Sequence, residues 1–201
     1  MNNHFAVSPF RFFALSLFLC SCNPYVFELQ RLSGWPIEGR ILSSRDNVDV
    51  GADNVLRVTN PAVVAVRTEQ ITDGMFDTEL RWVSAGDVEL VFRSTPNDDS
   101  TSSSNAVNVR LGFRETIVTY GDSTYRADVP TPVDGTPFRL RVIQHGNVMD
   151  VVVGCTLVAH LTTRQPSTQW LSIRPNVGTA IEFRDPKFLP LTDEFSRVSY
   201  P

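Results

Sequence analysis

The amino-acid sequence predicts an all-β protein, a sandwich of two antiparallel sheets that follows an N-terminal hydrophobic leader or anchor. From Val50 onward, short apolar segments rich in Val, Ile, Phe and Thr alternate with turns marked by Gly, Asn, Asp and Pro. Within these segments hydrophobic residues recur with a period of two, as in half-buried strands. No segment shows the period of an amphipathic helix, and we expect about a dozen strands, which suits two packed sheets.

The alternation is clearest in three segments near the middle of the chain. The segment "FDTELRW" places Phe76, Leu80 and Trp82 on one face and its charged residues on the other. The segments "GDVELVFR" and "AVNVRLGF" alternate in the same way, the second up to Phe113. Such strands face the core with one side and solvent with the other.

The later segments predict hairpins joined by tight turns. "TIVTYGDSTYRADV" predicts two strands that turn at Gly121-Asp122, and "FRLRVIQHGNVMDVVVGCTLVAHL" predicts three that turn at Gly146-Asn147 and Gly154-Cys155. "WLSIRP" and "AIEFRDPKFLPL" close the domain. The polar stretch "STPNDDSTSSSN" predicts a protruding loop.

Changes in composition along the chain predict four segments. Residues 1–22 form a lipoprotein signal or membrane anchor, 23–49 a tether broken up by Pro and Gly, 50–192 the β-sandwich domain and 193–201 a C-terminal tail. A chain of 201 residues is long enough for one sizeable domain.

The leader contains a hydrophobic run from Phe12 to Cys22, behind Arg11. The run is about half of the roughly 20 residues that a membrane-spanning helix needs, but it fits the core of a secretory signal. Its end, Leu19-Cys20-Ser21-Cys22, resembles a bacterial lipobox, which implies lipidation of the Cys22 thiol. A cleaved signal without lipid and a retained anchor are the alternatives.

Composition narrows the classes of partner. The net charge of -4 at pH 7 gives no reason to expect nucleic acid, whose binders carry basic patches. The close cysteine pair lies in the leader, so no paired Cys-x-x-Cys site is expected in the domain. Asn97, Asp98 and Asp99 are adjacent, unlike the spaced ligands of a calcium loop. We therefore expect no metal and no cofactor.

The stretch from Met75 to Leu191 resembles the concanavalin A-like jelly rolls, and in particular the 3-keto-disaccharide hydrolase-like domains and their laminin G-like relatives. The resemblance is carried by "FDTELRW", by "GTPFRLRVIQHGNVMDVVVGCTLVAHL" and above all by "AIEFRDPKFLPL". This sequence differs from the family at two places. It has Asp87-Val88-Glu89 where the family usually has Asn-Ser-Gly, and Arg174-Pro175-Asn176-Val177-Gly178 where the family often has Gln and His-Gly. The resemblance therefore implies the fold and not the hydrolase activity.

Two pairs of carboxylates have the spacing of a glycosidase on this fold. Asp77 with Glu79, and Asp87 with Glu89, occupy alternate positions of a strand, where both members can point at a sugar. We favour another interpretation, in which charged residues of both signs form cross-strand pairs on a solvated face. The residues in that interpretation are Glu79, Arg81, Glu89, Arg93, Arg110, Arg139 and Arg141.

The sequence offers few other candidates for catalytic or sugar-binding residues. His145 and His160 lie near predicted strand ends, without a neighbouring Ser or Cys, and Cys155 has no local cation to activate it. A sugar site without catalysis would use exposed aromatic rings, but we expect Trp82 and Trp170 to fill the core.

These observations favour a non-catalytic, membrane-tethered β-sandwich subunit that acts by protein contact in a larger bacterial membrane complex of the envelope, respiratory or photosynthetic type. The expected location is the cell envelope, with the domain in the periplasm or elsewhere outside the cytoplasm. Its partners would be the membrane, through the lipid or an N-terminal helix, and proteins of that complex. The alternative is a glycan-binding lipoprotein, or a glycoside hydrolase of the 3-keto-disaccharide hydrolase-like type, with carbohydrate as the partner.

Overall fold

The computed structural model describes residues 39–51, 55–67, 73–84, 86–94, 105–129, 135–164 and 170–191. The chain divides into two units, Met1–Arg31 and Leu32–Pro201, and every described residue belongs to the second. The predicted leader with Cys22, the residues Asn97, Asp98 and Asp99, and the tail 193–201 lie outside the described ranges.

The described ranges contain fourteen β-strands and, between the first two, a short 3-10 turn at Arg45–Asn47. The strands are β1 Gly39–Ser43, β2 Val48–Val50, β3 Val55–Thr59, β4 Val63–Arg67, β5 Asp73–Ser84, β6 Val88–Ser94, β7 Val107–Leu111, β8 Thr116–Tyr120, β9 Ser123–Ala127, β10 Phe138–His145, β11 Val148–Val153, β12 Thr156–Thr162, β13 Trp170–Pro175 and β14 Ala180–Pro190. None of the described residues forms a helix long and apolar enough to span a bilayer.

Two seven-stranded sheets contain these strands. Sheet A has the order β1-β4-β13-β6-β7-β8-β9, and sheet B has the order β12-β11-β10-β5-β14-β3-β2. Neighbouring strands are antiparallel in both sheets. The prediction of a concanavalin A-like jelly-roll sandwich of two antiparallel sheets is therefore confirmed.

The tight turns lie where the sequence predicts them. β8 and β9 turn at Gly121-Asp122, β10 and β11 at Gly146-Asn147, and β11 and β12 at Gly154-Cys155. Gly146 has a φ of 53°, in the left-handed region that favours glycine. These hairpins fix the register of their strands, and hence the face on which each side chain lies.

The core fills the space between the sheets. The inward positions of β5 and β14 in sheet B, such as Leu80 and Phe183, are fully buried. So is Leu90 on β6 of sheet A. Phe76 of sheet B and Phe92 of sheet A pack edge to face across the interior, with ring centroids 5.7 Å apart. The core therefore joins the two sheets directly.

The sandwich begins earlier than the predicted boundary at residue 50. β1 pairs with β4, with Ile41 opposite Val64, and β2 pairs with β3, with Asp49 opposite Arg57. The part of the predicted tether from residue 39 onward is thus an edge strand of each sheet. β2 has only three residues, too few for a period of two to stand out.

Phe113 also differs from the prediction, which placed it in the core. β7 ends at Leu111, and Phe113 is 44% exposed. The chain turns directly after the strand, where the Gly112 backbone N–H donates to the Glu115 carbonyl over 3.0 Å. The alternating pattern therefore ends two residues before Phe113.

Candidate functional site

The structure places the four candidate carboxylates on opposite sides of the sandwich. Asp77 and Glu79 lie on β5 of sheet B, on the outer face that points away from the core. Glu89 lies on the outer face of sheet A, and Asp87 directly precedes the same strand. The two pairs cannot approach one sugar from both sides, as the two carboxylates of a glycosidase must.

Asp77 is a buried, paired carboxylate and not a solvated one. Its outer-face position is as predicted, but the residue is only 3% exposed. Arg139 Nε donates to Asp77 Oδ1 over 2.7 Å, and Arg141 Nε lies 3.7 Å from the same oxygen. Both arginines come from the neighbouring strand β10. Asp77 is therefore engaged in ion pairs that join β5 to β10.

A second ion-pair network lies further along the outer face of sheet B. Arg57 Nε donates to Glu182 Oε1 over 3.1 Å, and Arg184 Nη2 lies 3.5 Å from Glu182 Oε2. Burial raises the pKa of Glu182, but the hydrogen bonds and charges of Arg57 and Arg184 outweigh it and hold that pKa below its usual value. This network links β3 to β14.

On the outer face of sheet A, Asp87 pairs with Arg110. Arg110 Nε donates to Asp87 Oδ2 over 3.0 Å, and its Nη2 contacts the same oxygen. That hydrogen bond, together with the charge of Asp87, raises the pKa of Arg110. The pair is partly open to solvent, with the Asp87 side chain 25% exposed and that of Arg110 54%. It lies beside a pocket.

The pocket, which we call the β7–β8 pocket, is an open cavity of about 190 Å³. Its lining residues come from the start of β6, from β7 and β8, and from the turn between them: Asp87, Arg110, Gly112, Phe113, Arg114, Glu115 and Ile117.

The Gly112 backbone lies close to the Asp87 carboxylate. A Cβ atom at this position would lie 2.7 Å from Asp87 Oδ1, closer than side-chain atoms approach. Glycine therefore lets the carboxylate reach the base of the β7–β8 turn.

The tip of the turn presents an aromatic ring and a cation. Phe113 and Arg114 are both exposed. The Arg114 Cζ atom lies 5.2 Å from the centroid of the Phe113 ring, within the range of a cation–π contact. Next to them, Glu115 Oε2 lies 3.4 Å from Arg126 Nη1. The pocket thus combines an apolar ring with donors and acceptors of both charges.

Sequence reasoning found Asp87 and Arg110 but missed the rest of this pocket. The signal that would have found it is the tetrapeptide "GFRE" between two alternating segments. A four-residue hairpin loop that begins with glycine exposes its two central residues, here Phe113 and Arg114.

Arg93 is the residue whose placement differs most from the charged-face interpretation. It is 6% exposed and has a φ of 62°. Its guanidinium donates to the Arg164 carbonyl over 2.8 Å, to Thr163 Oγ1 over 2.9 Å and to Gln144 Oε1. Burial lowers the pKa of Arg93. Arg93 therefore secures the end of the sandwich opposite the pocket.

The remaining candidates do not form a catalytic group among the described residues. His145 Nδ1 lies 3.1 Å from Asp73 Oδ1, and His160 Nδ1 lies 2.6 Å from Asp150 Oδ1. Cys155 is exposed in the β11–β12 turn. Within the described ranges no three His, Cys, Asp or Glu side chains are arranged to hold a metal ion.

Of the two tryptophans predicted to fill the core, the structure describes the side chain of one. Trp82 is 2% exposed and packs near Phe138, so the prediction that it belongs to the core is confirmed. The side chain of Trp170 lies outside what the structure describes.

No protein-family model and no curated protein matches this sequence. Solved structures do match its fold. The chain is similar to the VIP36 exoplasmic/lumenal domain in its Ca²⁺/Man2-bound form, with a TM-score of 0.58 and 10% identity over 81% of this chain and 86% of that one. It is also similar to a β-glucanase of Bacillus licheniformis, with a TM-score of 0.56 and 10% identity over 77% and 92%. A third match is the carbohydrate-binding module CBM66 of Bacillus subtilis, with a TM-score of 0.55 and 10% identity over 75% and 94%. Likenesses at this identity show the fold: this chain has the jelly-roll sandwich of lectins, glycan-binding modules and glycosyl hydrolases.

Proposed function

We propose that the domain is a non-catalytic carbohydrate-binding module that binds one sugar residue of a glycan in the β7–β8 pocket. The observation that carries the proposal is the exposed Phe113 ring beside the solvent-accessible Asp87–Arg110 pair. An exposed aromatic face next to fixed polar groups is the combination that a pyranose requires, because its C–H face is apolar and its hydroxyls surround its edge.

The polar groups of the pair have unused hydrogen-bonding capacity for a sugar. Arg110 directs Nε and Nη2 at a single oxygen, Asp87 Oδ2. A guanidinium has five N–H donors and a carboxylate about four acceptor positions, so both partners retain groups for ligand hydroxyls. Two neighbouring hydroxyls can accept from Arg110 and donate to Asp87 at the same time. Because the ion pair fixes both side chains, little ordering is left to occur on binding.

The size of the pocket sets the scale of the ligand. Its volume of about 190 Å³ is below the roughly 300 Å³ at which drug-sized pockets begin. One sugar residue fits, with the rest of the chain outside. We expect a shallow site with fast exchange and modest affinity.

The arrangement of carboxylates supports binding without hydrolysis. Asp77 is engaged by two arginines on the other side of the sandwich, and Asp87 is engaged by Arg110. A glycosidase needs two carboxyl groups that flank one scissile bond. The β7–β8 pocket offers Asp87 and Glu115, each paired with an arginine.

The structural neighbours support the glycan-binding alternative over the membrane-complex subunit. They include a carbohydrate-binding module, a β-glucanase and a domain in a Man2-bound form. At 10% identity this support is an analogy of fold, and the site itself carries the proposal. Lipidation at Cys22 and a location in the cell envelope remain predictions that concern residues outside the described ranges.

The test is isothermal titration calorimetry with oligosaccharides selected on a glycan array. We expect Phe113→Ala to weaken binding about tenfold or more, the loss of about 1.4 kcal/mol from a stacked ring. Val50→Ala is the matched control, since Val50 is an apolar residue 62% exposed on β2, at the edge of sheet B opposite to β12, the strand that contacts β8. The control should bind as the unchanged protein does. Unaltered affinity in Phe113→Ala, or no glycan bound on the array, would refute the proposal.

A further inference from the structure

We infer that the β7–β8 pocket selects acidic glycans, and that Arg114 recognises the carboxylate of a uronic acid residue. This inference rests on the proposed function, because the carboxylate meets Arg114 only when a sugar lies in the pocket.

Around the pocket, Arg110 and Arg126 each have a carboxylate partner, and Glu89 adds a further negative charge beside Arg110. The Asp87 carboxylate neutralises Arg110, and Arg126 offsets Glu115 over 3.4 Å. Arg114 makes no ion pair with any residue that the structure describes, and its guanidinium lies against the Phe113 ring. A ligand that enters the pocket therefore meets the Arg114 guanidinium as a cation that has no ion-pair partner among the described residues.

The position of that charge suits a carboxylate on a sugar ring. The guanidinium carbon of Arg114 lies 5.2 Å from the centroid of the Phe113 ring. Because the guanidinium lies over one face of the ring, a sugar residue that contacts the edge of Phe113 lies beside it and can direct an exocyclic substituent at it. The planar fork of arginine matches the two oxygens of a carboxylate, which a hydroxymethyl group does not offer.

The rest of the protein does not supply this preference. The whole chain has a net charge of -4, which repels polyanions at long range. A preference for an acidic glycan must therefore arise locally. Because Arg114 is exposed, its ion pair with a ligand is weak, and we expect about a fivefold difference in affinity.

The experiment compares trigalacturonic acid with its fully methyl-esterified form, since the two differ in charge at the same carbon. Calorimetric titration in 50 mM salt should show the acid binding about five times more tightly than the ester. The difference should shrink in 500 mM salt, where screening is stronger. Arg114→Gln should bind the two forms equally. Arg164→Gln, which alters an exposed arginine at the opposite end of the sandwich, should keep the preference.

The outcomes distinguish a failure of the inference about acidic glycans from a failure of the proposed sugar-binding function. Equal affinity for acid and ester in the unchanged protein overturns the inference, as does a preference that persists in Arg114→Gln. Binding of a neutral glycan alone, lost in Phe113→Ala, overturns the inference and leaves the proposed function standing. Absence of binding to every glycan overturns both.

Discussion

Replacing Asp77 by Asn tests whether this carboxylate is structural. The substitution keeps the shape of the side chain and one oxygen acceptor but removes the charge. Arg139 then loses its bidentate partner, and Arg141, whose side chain is 12% exposed, loses the carboxylate oxygen that lies 3.7 Å from its Nε. Both cations would lose the negative charge that they share.

The magnitude follows from the exposure of each partner. Removing one member of a buried ion pair costs about 3–5 kcal/mol. The Arg139 side chain is 33% exposed, so water replaces part of what it loses, and the lower end of that range applies. We expect Asp77→Asn to lower the free energy of unfolding by about 3 kcal/mol. For a domain of this size that corresponds to a fall in Tm of about 9 °C.

Urea denaturation followed by tryptophan fluorescence measures this change. Glu115→Gln is the control, because it breaks the exposed pair with Arg126, where we expect about 0–1 kcal/mol. Glycan affinity should be the same in Asp77→Asn and in the unchanged protein at a temperature where both are folded. A loss below 1 kcal/mol would refute the structural role, and abolished glycan binding with intact stability would place Asp77 in a functional site.

Two further predictions concern buried charges. Arg93→Met should lower the free energy of unfolding by about 2–3 kcal/mol in urea denaturation, because Gln144 and Thr163 lose a charged donor; an effect within about 0.5 kcal/mol would contradict the position given to Arg93. Glu182 has a folded-state pKa below its unfolded one, so its stabilisation is complete above the unfolded pKa of about 4.3 and is lost as pH falls through the folded value. Glu182→Gln should therefore be less stable than the unchanged protein at pH 7 and nearly as stable at pH 3; a gap that stays constant between those pH values would contradict the ionised pairing.

The sequence predicts the fold well because the signals for it are local. A glycine-containing turn such as Gly146-Asn147 and a period of two on either side are visible within about ten residues. The strand β2 escapes prediction because three residues cannot show a period. Phe113 escapes it because an alternating pattern does not reveal where a strand stops.

The site is harder to predict because it depends on pairings between strands. Asp87 meets Arg110 because Glu89 lies opposite Arg110 in the register of β6 and β7, a relation that neither segment shows alone. The burial of Asp77 likewise depends on β10, more than sixty residues further along the chain, which places two arginines beside it. Residue type and spacing identified these carboxylates, but only the strand pairing shows that Asp87 lies beside Arg110 and that Asp77 lies beside two arginines.

The most direct test of a sugar site in the β7–β8 pocket is a chemical-shift map of the backbone amides during titration with a glycan that binds. We predict that the largest shifts fall at 110–117 and at Asp87, and that the strands around Asp77 remain unchanged. Shifts centred on the outer face of sheet B, with the β7–β8 turn unaffected, would contradict this account.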